Sequence, residues 1–253
     1  MIDTHAHLLY YDNKEEIIDS MKKNGLSAIV SIGTTVENSK QSIELANKYD
    51  NVYATVAIYP EYAEDTTDDD LKVIESLTKN EKVVAVGEIG LDYHTPGFNR
   101  EKQIELFKRQ LKIADDAGLP FCIHCRQAAE DVYNVLNECK HLINHSGLMH
   151  CYSEGAEWIE KFLDLGLYIS FSGNITFKKS DRSFLKKIPL DKILVETDAP
   201  YLSPEPLRGR ENKPENVKYI IQKIADEIGL TFEELEKITE KNAKTFYFNM
   251  KKV

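Results

Sequence analysis

Short apolar runs alternate along the chain with longer stretches in which apolar residues recur every three or four positions. The runs occupy 1–5, 27–32, 52–58, 83–88, 119–124, 147–151, 167–171 and 192–197, and their length predicts eight buried strands. Between and after them the spacing is helical. Residues 99–117 place Ile104, Phe107, Leu111 and Ala114 on one stripe, with Gly118 as a stop. Residues 155–165 align Trp158, Phe162 and Leu165 before Gly166, and 215–228 align Val217, Ile220, Ile221, Ile224 and Ile228 before Gly229. A last helix is predicted to open at Thr231, where Glu234 completes a capping box, and to use Leu235 and Ile238.

Strands that are apolar throughout, separated by helices, belong to a parallel sheet covered on both faces. Eight such units in 253 residues predict an α/β fold, a single-domain (β/α)8 TIM barrel spanning 1–253. The alternative is an open doubly wound sheet, but no glycine-rich phosphate loop follows the first strand.

Six residues that can bind metals sit at the ends of five of these runs: His5 and His7, Glu88, His124, His150 and Asp198. In a barrel all strand C-termini share one rim, so five strands can deliver side chains to one point. His5 and His7 are two apart in extended chain and face the same side. A carboxylate ending a buried strand is costly unless paired or metal-bound, and the two oxygens of Glu88 suit it to bridge two metals. His124 and His150 complete a second set with Glu88, and Asp198 joins the first as ligand and proton acceptor. Glu196, two residues earlier, is expected deeper in the barrel, behind the ligands. Each residue alone has a plainer explanation: an exposed H-x-H pair, a hydrogen-bonded core histidine, a rim salt bridge. Their joint placement at strand ends outweighs those. A set of nitrogen and oxygen donors suits Mg, Mn, Zn, Fe or Co, and two divalent metal ions per chain are expected.

The net charge of −10, from 32 basic and 42 acidic residues, argues against a protein that coats nucleic acid. It leaves room for a local basic pocket. No segment approaches the ~20 apolar residues of a membrane span. The start, MIDTHAH, has no signal-peptide pattern, so a cytoplasmic location is expected. The four cysteines include a C-x-x-C at Cys122 and Cys125 but no second pair suited to zinc, and they are read as buried reduced thiols.

The stretches DTHAH at 3–7, GEIGLDYH at 87–94, IHCR at 123–126, HCYSEG at 150–155 and ETDAPYLSPEPLRGRENKP at 196–214 together resemble the TatD-type metal-dependent deoxyribonucleases, within the wider amidohydrolase-like barrel group. The resemblance implies a divalent-metal-dependent hydrolase of DNA phosphodiesters, often a 3′-to-5′ exonuclease, acting through a water activated by two metals. It implies His5, His7 and Asp198 on one metal, Glu88 as the bridge, and His124 and His150 on the other. Arg126 sits where the family has a basic residue near the substrate phosphate, and its planar fork suits that contact. The chain departs from the family after the third strand. Where a G-x-H-P-H segment is usual, it reads Ala57-Ile58-Tyr59-Pro60-Glu61, without either histidine.

Further rim candidates for substrate contacts are Tyr93, His94, Ser153, Lys178, Lys179, Arg208, Arg210 and Lys213. Arg208 and Arg210 flank Gly209 in the loop after the eighth strand, and His94 is a candidate to protonate a leaving group. His141 and His145 are expected to be exposed. The expected partner is a nucleic acid substrate, DNA with single-stranded ends, with no membrane and a monomer by default. Two rivals remain at this level: hydrolysis of a small amide, ester or lactone on the same barrel, and a non-catalytic binding protein.

Overall fold

In the computed structural model, which describes residues 1–247, each predicted apolar run forms a strand. The strands are β1 (Ile2–Ala6), β2 (Ala28–Ser31), β3 (Val52–Val56), β4 (Val83–Asp92), β5 (Phe121–Arg126), β6 (Gly147–Met149), β7 (Tyr168–Phe171) and β8 (Ile193–Val195). They pair in parallel and in chain order as one eight-stranded sheet. The sheet closes beyond the end of β8, where Asp198 N donates to His5 O at 3.0 Å and His7 N to Ala199 O at 2.8 Å. The expected barrel is therefore the observed one, and the open-sheet alternative falls. Residues 248–253, at the end of the expected 1–253 unit, lie outside the described part.

Six helices cross between successive strands: α1 (Lys14–Ser20), α2 (Val36–Lys48), α3 (Asp68–Leu77), α4 (Arg100–Ala117), α5 (Ala129–Glu138) and α6 (Ala156–Asp164). The β7-to-β8 crossover has no α-helix among the described residues, only short 3-10 turns at Gly173–Thr176, Leu185–Lys187 and Leu190–Lys192. The helix α7 (Val217–Ile228), which follows β8 in sequence, packs on the first two of these turns. It buries Val217, Ile220, Ile221 and Ile224 of the stripe predicted for it, while Ile228, the fifth, is only partly buried.

The final helix, α8 (Phe232–Phe246), starts at the predicted capping box of Thr231 and Glu234. Its buried face is Leu235, Thr239, Asn242, Ala243 and Phe246, so Ile238 lies at the edge and not in the centre. Just past its end, Tyr247 enters a cluster with Ile2, Val84, Cys122, Leu148 and Leu194, from the N-terminal parts of the strands. Its hydroxyl donates to Thr4 O at 3.1 Å. Aromatic packing by Phe246 and Tyr247 thus plugs one end of the barrel, and chemistry is left to the other.

Strand β4 runs four residues beyond Glu88, further than predicted, and its pairing with β5 is irregular between Val86 and Ile89. Two glycines make this possible. A Cβ on Gly87 would lie 2.6 Å from Cys122 Cβ, and one on Gly90, at φ +131°, would lie 2.1 Å from His124 O. The irregularity re-aims Glu88 while the strand continues to Asp92.

Candidate metal centre

The six predicted metal-capable side chains meet at the C-terminal rim. His5 is fully buried in β1, and among the described residues neither of its ring nitrogens has a hydrogen-bond partner. Its ring stacks on His150 with centroids 4.1 Å apart and planes 8° from parallel. His5 Nε2 is 3.7 Å from both Glu88 Oε2 and Asp198 Oδ1, and His7 Nε2 is 3.3 Å from Asp198 Oδ1. On the other side, Glu88 Oε1 lies 2.8 Å from both His124 Nδ1 and His150 Nε2.

The outward nitrogens of these two imidazoles meet carboxylates. His124 Nε2 is 3.0 Å from Asp92 Oδ2, and His150 Nδ1 is 3.2 Å from Glu196 Oε1. An ionised carboxylate only accepts, so each outward nitrogen carries the proton and donates. The inward nitrogens face Glu88 Oε1 at hydrogen-bond distance, donating to it when protonated, and in the neutral ring that inward nitrogen is the one free to offer a lone pair to a cation. This is the arrangement by which a carboxylate behind a histidine fixes its tautomer and aim. Glu196 thus stands behind the cluster, as expected, and also accepts from Cys151 N at 2.7 Å.

Asp92 was not singled out from the sequence. Its signal was available: it follows Glu88 by four residues in one strand, and even spacing shares a face. Its backbone is held by Gln103, whose Oε1 accepts from Asp92 N at 2.8 Å and whose Nε2 donates to Asp92 O at 3.0 Å. Tyr59 donates its hydroxyl to Asp92 Oδ2 at 2.8 Å and lies 3.1 Å from His124 Nε2. The residue standing where the resemblance expects a histidine therefore braces the carboxylate that orients His124. Asp3 plays a similar part at the barrel seam. It accepts from Thr197 N at 2.9 Å and from the Thr197 hydroxyl, tying β1 to the residue before Asp198.

Burial dominates the electrostatics. Burial and the neighbouring charge of His150 hold His5 well below the usual histidine range. Burial also opposes charge on His124, but the hydrogen bonds to Asp92 and Glu88 outweigh it and raise that ring. His150 is raised more strongly, against burial, by Glu88 and Glu196. Burial alone would raise Glu88; the charge of His150 and hydrogen bonds from both imidazoles reverse this and hold it well below its usual value. Burial pushes Asp3 up to about 8.

The arrangement fits divalent cations. Three overlapping groups, His5 with His150 and Asp198, His5 with His7 and Glu88, and Glu88 with His124 and His150, each bring ligand atoms within 4.8 Å of one another. A buried imidazole with both nitrogens unpartnered is costly on its own. A cation among these groups would relieve that cost at one of the two His5 nitrogens.

Five of the six side chains, His7, Glu88, His124, His150 and Asp198, line a cavity of about 560 Å³, and His5 is buried behind its wall. Arg126 and Ser153, both expected near substrate, are on its wall, as are Tyr59 and Glu61. Tyr93 is turned aside: its hydroxyl donates to Asp131 Oδ2 at 2.7 Å, and its ring stacks on Phe98 with centroids 4.5 Å apart. His94 is exposed and pairs with Gln127 Nε2 at 3.2 Å. The Arg208 guanidinium lies 4.1 Å from the centre of the Phe177 ring. Lys178, Lys179, Arg210 and Lys213 are exposed and, like Arg208 and His94, are not on the cavity wall. All four cysteines are free thiols; Cys122, Cys125 and Cys139 are buried and Cys151 is partly so. No helix among the described residues is long and apolar enough to cross a membrane.

Residues 2–248 match the family model described as TatD related DNase. The chain is 39% identical over 252 residues to the uncharacterized metal-dependent hydrolase YabD of Bacillus subtilis, covering 98% of each chain. It is 34% identical over 258 residues to the uncharacterized metal-dependent hydrolase YcfH of Escherichia coli K12, covering 98% of this chain and 96% of the other. Its fold superposes on the crystal structure of YjjV, a TatD homologue from Escherichia coli K12, with a TM-score of 0.92 at 28% identity and 98% coverage of each chain. With this rim cluster and these likenesses over its whole length, the chain belongs to the TatD related DNase family of metal-dependent hydrolases.

Proposed function

We propose that the protein hydrolyses phosphodiester bonds of DNA, working from the 3′ end of a single strand, with two divalent cations per chain. The observation that carries this is the convergence of four imidazoles and two carboxylates at the base of the cavity, five of them lining it and His5 buried behind them with both ring nitrogens unpartnered among the described residues. His5, His7 and Asp198 would hold one cation and His124 and His150 the other, with Glu88 shared between the two. Such cations, when bound, lower the pKa of water and stabilise charge on attacking and departing oxygens.

The remaining roles belong to the chain's own groups. Asp92 and Glu196 aim His124 and His150, and Tyr59 steadies Asp92. Asp198, partly exposed to the cavity, accepts the proton of the attacking water. Arg126, on the cavity wall, pairs with a phosphate oxygen and orients the phosphorus. The barrel strand β4 presents the Glu88 carboxylate toward both halves of the cluster, which suits it to be shared between two cations.

End-labelled single-stranded DNA, digested with a panel of divalent metals before and after EDTA, tests the activity. Stepwise shortening from the 3′ end that EDTA abolishes is expected. Turnover of aryl esters or lactones with no attack on DNA would favour the rival hydrolase. Asp198→Asn should lower the rate by at least about a hundredfold while leaving the circular dichroism spectrum unchanged, as for loss of a general base. Full activity in that variant would remove Asp198 from the proton-accepting role.

A further inference from the structure

Among the described residues, five large apolar or aromatic side chains are markedly exposed: Tyr10, Tyr62, Phe98, Leu190 and Tyr201. Three of them, Tyr10, Tyr62 and Tyr201, line the one cavity whose floor is the histidine and carboxylate cluster. None is needed to fill the core. Tyr10 and Tyr201 are 48% and 52% exposed, yet their rings are braced. Tyr10 stacks on His7 with centroids 5.4 Å apart and planes within 8°. Tyr201 meets His7 edge-on at 5.7 Å and Tyr10 at 6.3 Å, with interplanar angles of 72° and 74°. The two rings therefore form a right-angled corner, and a flat group laid on one face abuts the edge of the other.

The wall is divided by chemistry. Tyr10 follows β1 and Tyr201 follows β8, which are adjacent across the barrel seam. Arg126 ends β5, four strands from β1 and three from β8 in the ring, and so on the far side. Glu61, next to Tyr62, also faces the cavity. A phosphate is drawn toward Arg126 and repelled from Glu61, so the uncharged part of the same ligand falls against the tyrosines. Glu61 is an acceptor for the amino or hydroxyl groups of that part.

We propose that Tyr10 and Tyr201, with Tyr62 beside them, form a nucleobase-stacking subsite that seats the base adjoining the scissile phosphate. This deepens the nuclease reading and rests on it. Every base has a π-face, so such a corner binds single-stranded ends with little sequence preference. It also demands an unpaired base, because a stacked and paired one has no face to offer.

Two arms test the subsite. In the first, the cation-free protein is titrated with deoxyadenosine, a neutral nucleoside with no phosphate, and followed by NMR saturation transfer. The Tyr10→Ala/Tyr201→Ala double variant should bind it at least about tenfold more weakly. The Tyr10→Phe/Tyr201→Phe variant should bind as wild type, since stacking needs the ring and not the hydroxyl. Absence of binding by wild type, or equal binding by the alanine variant, overturns the proposal. In the second, Mn²⁺-loaded wild type cleaves a single strand with ordinary 3′ residues and one whose terminal residues are abasic. Loss of the bases should raise KM about tenfold with kcat changed less than about twofold. Equal KM values overturn the stacking subsite and leave the nuclease standing. Deoxyadenosine binding through these rings without cleavage of either strand keeps the subsite and removes the nuclease.

Discussion

Asp92 shows what spacing at the residue scale conveys and what it hides. His5, His7, Glu88, His124, His150 and Asp198 stand out in the sequence because each closes an apolar run, where an unpaired polar group is conspicuous. Asp92 closes no run, because β4 continues through a bulge that the apolar pattern cannot display. It nevertheless holds the outward nitrogen of His124 at 3.0 Å and takes a second hydrogen bond from Tyr59 at 2.8 Å. Removing its charge while keeping its shape should loosen the ring. Asp92→Asn is expected to weaken Mn²⁺ or Zn²⁺ binding about 10- to 100-fold, the usual cost of losing a carboxylate behind a ligating histidine. Isothermal titration calorimetry on the apo protein measures this directly. Tyr59→Phe removes the hydroxyl's bond to Asp92 and its contact with His124 Nε2 but leaves the carboxylate in place, and should cost only about 1–2 kcal/mol of that affinity. Unchanged affinity in Asp92→Asn would show that His124 is aimed by packing alone.

The strands were legible at the scale of elements because a buried parallel strand is apolar at nearly every position. All eight appear within a few residues of their predicted limits. Two features were not legible, for different reasons. The β7-to-β8 crossover forms 3-10 turns, and its place in the outer layer is taken by α7, a substitution made in space and invisible along the chain. The extension of β4 depends on close backbone approach at Gly87 and Gly90, and an isolated glycine signals a bulge only weakly. Gly90→Ala tests the second feature. The new methyl would meet His124 O at 2.1 Å, and φ +131° is unfavourable for any L residue. A loss of at least about 3 kcal/mol is expected from the combined strain and overlap. Gly97→Ala is the control: at φ +83° with nothing within 4 Å, it should lose only about 1–2 kcal/mol. Urea unfolding of the two variants separates them, and equal losses would mean that β4 relaxes away from β5 at little cost.

For the molecule as a whole, charge is the property that most constrains how a polyanion can be bound. The chain carries a net −10, and Glu61, Glu88 and Asp198 all face the cavity above the histidine cluster. Among the described residues lining that cavity, Arg126 is the one lysine or arginine. The exposed Lys178, Lys179, Arg208, Arg210 and Lys213, which the sequence offered as a basic rim, are not on its wall. A single strand bound as proposed would therefore be neutralised at a few phosphates only, those near Arg126 and the candidate cation cluster. Each phosphate neutralised on a single strand contributes a slope of about −0.7 to log K against log salt. Two or so engaged phosphates predict a slope of about −1 to −2, far shallower than for a protein that covers its DNA. Arg126→Ala should make it shallower by about 0.7. Fluorescence anisotropy of a cleavage-resistant phosphorothioate strand, titrated over a range of NaCl with Mn²⁺ held constant, gives both slopes. A slope steeper than about −4 would mean that the exposed lysines and arginines outside the cavity form an extended track for the strand. In that case the cavity alone would not define the substrate.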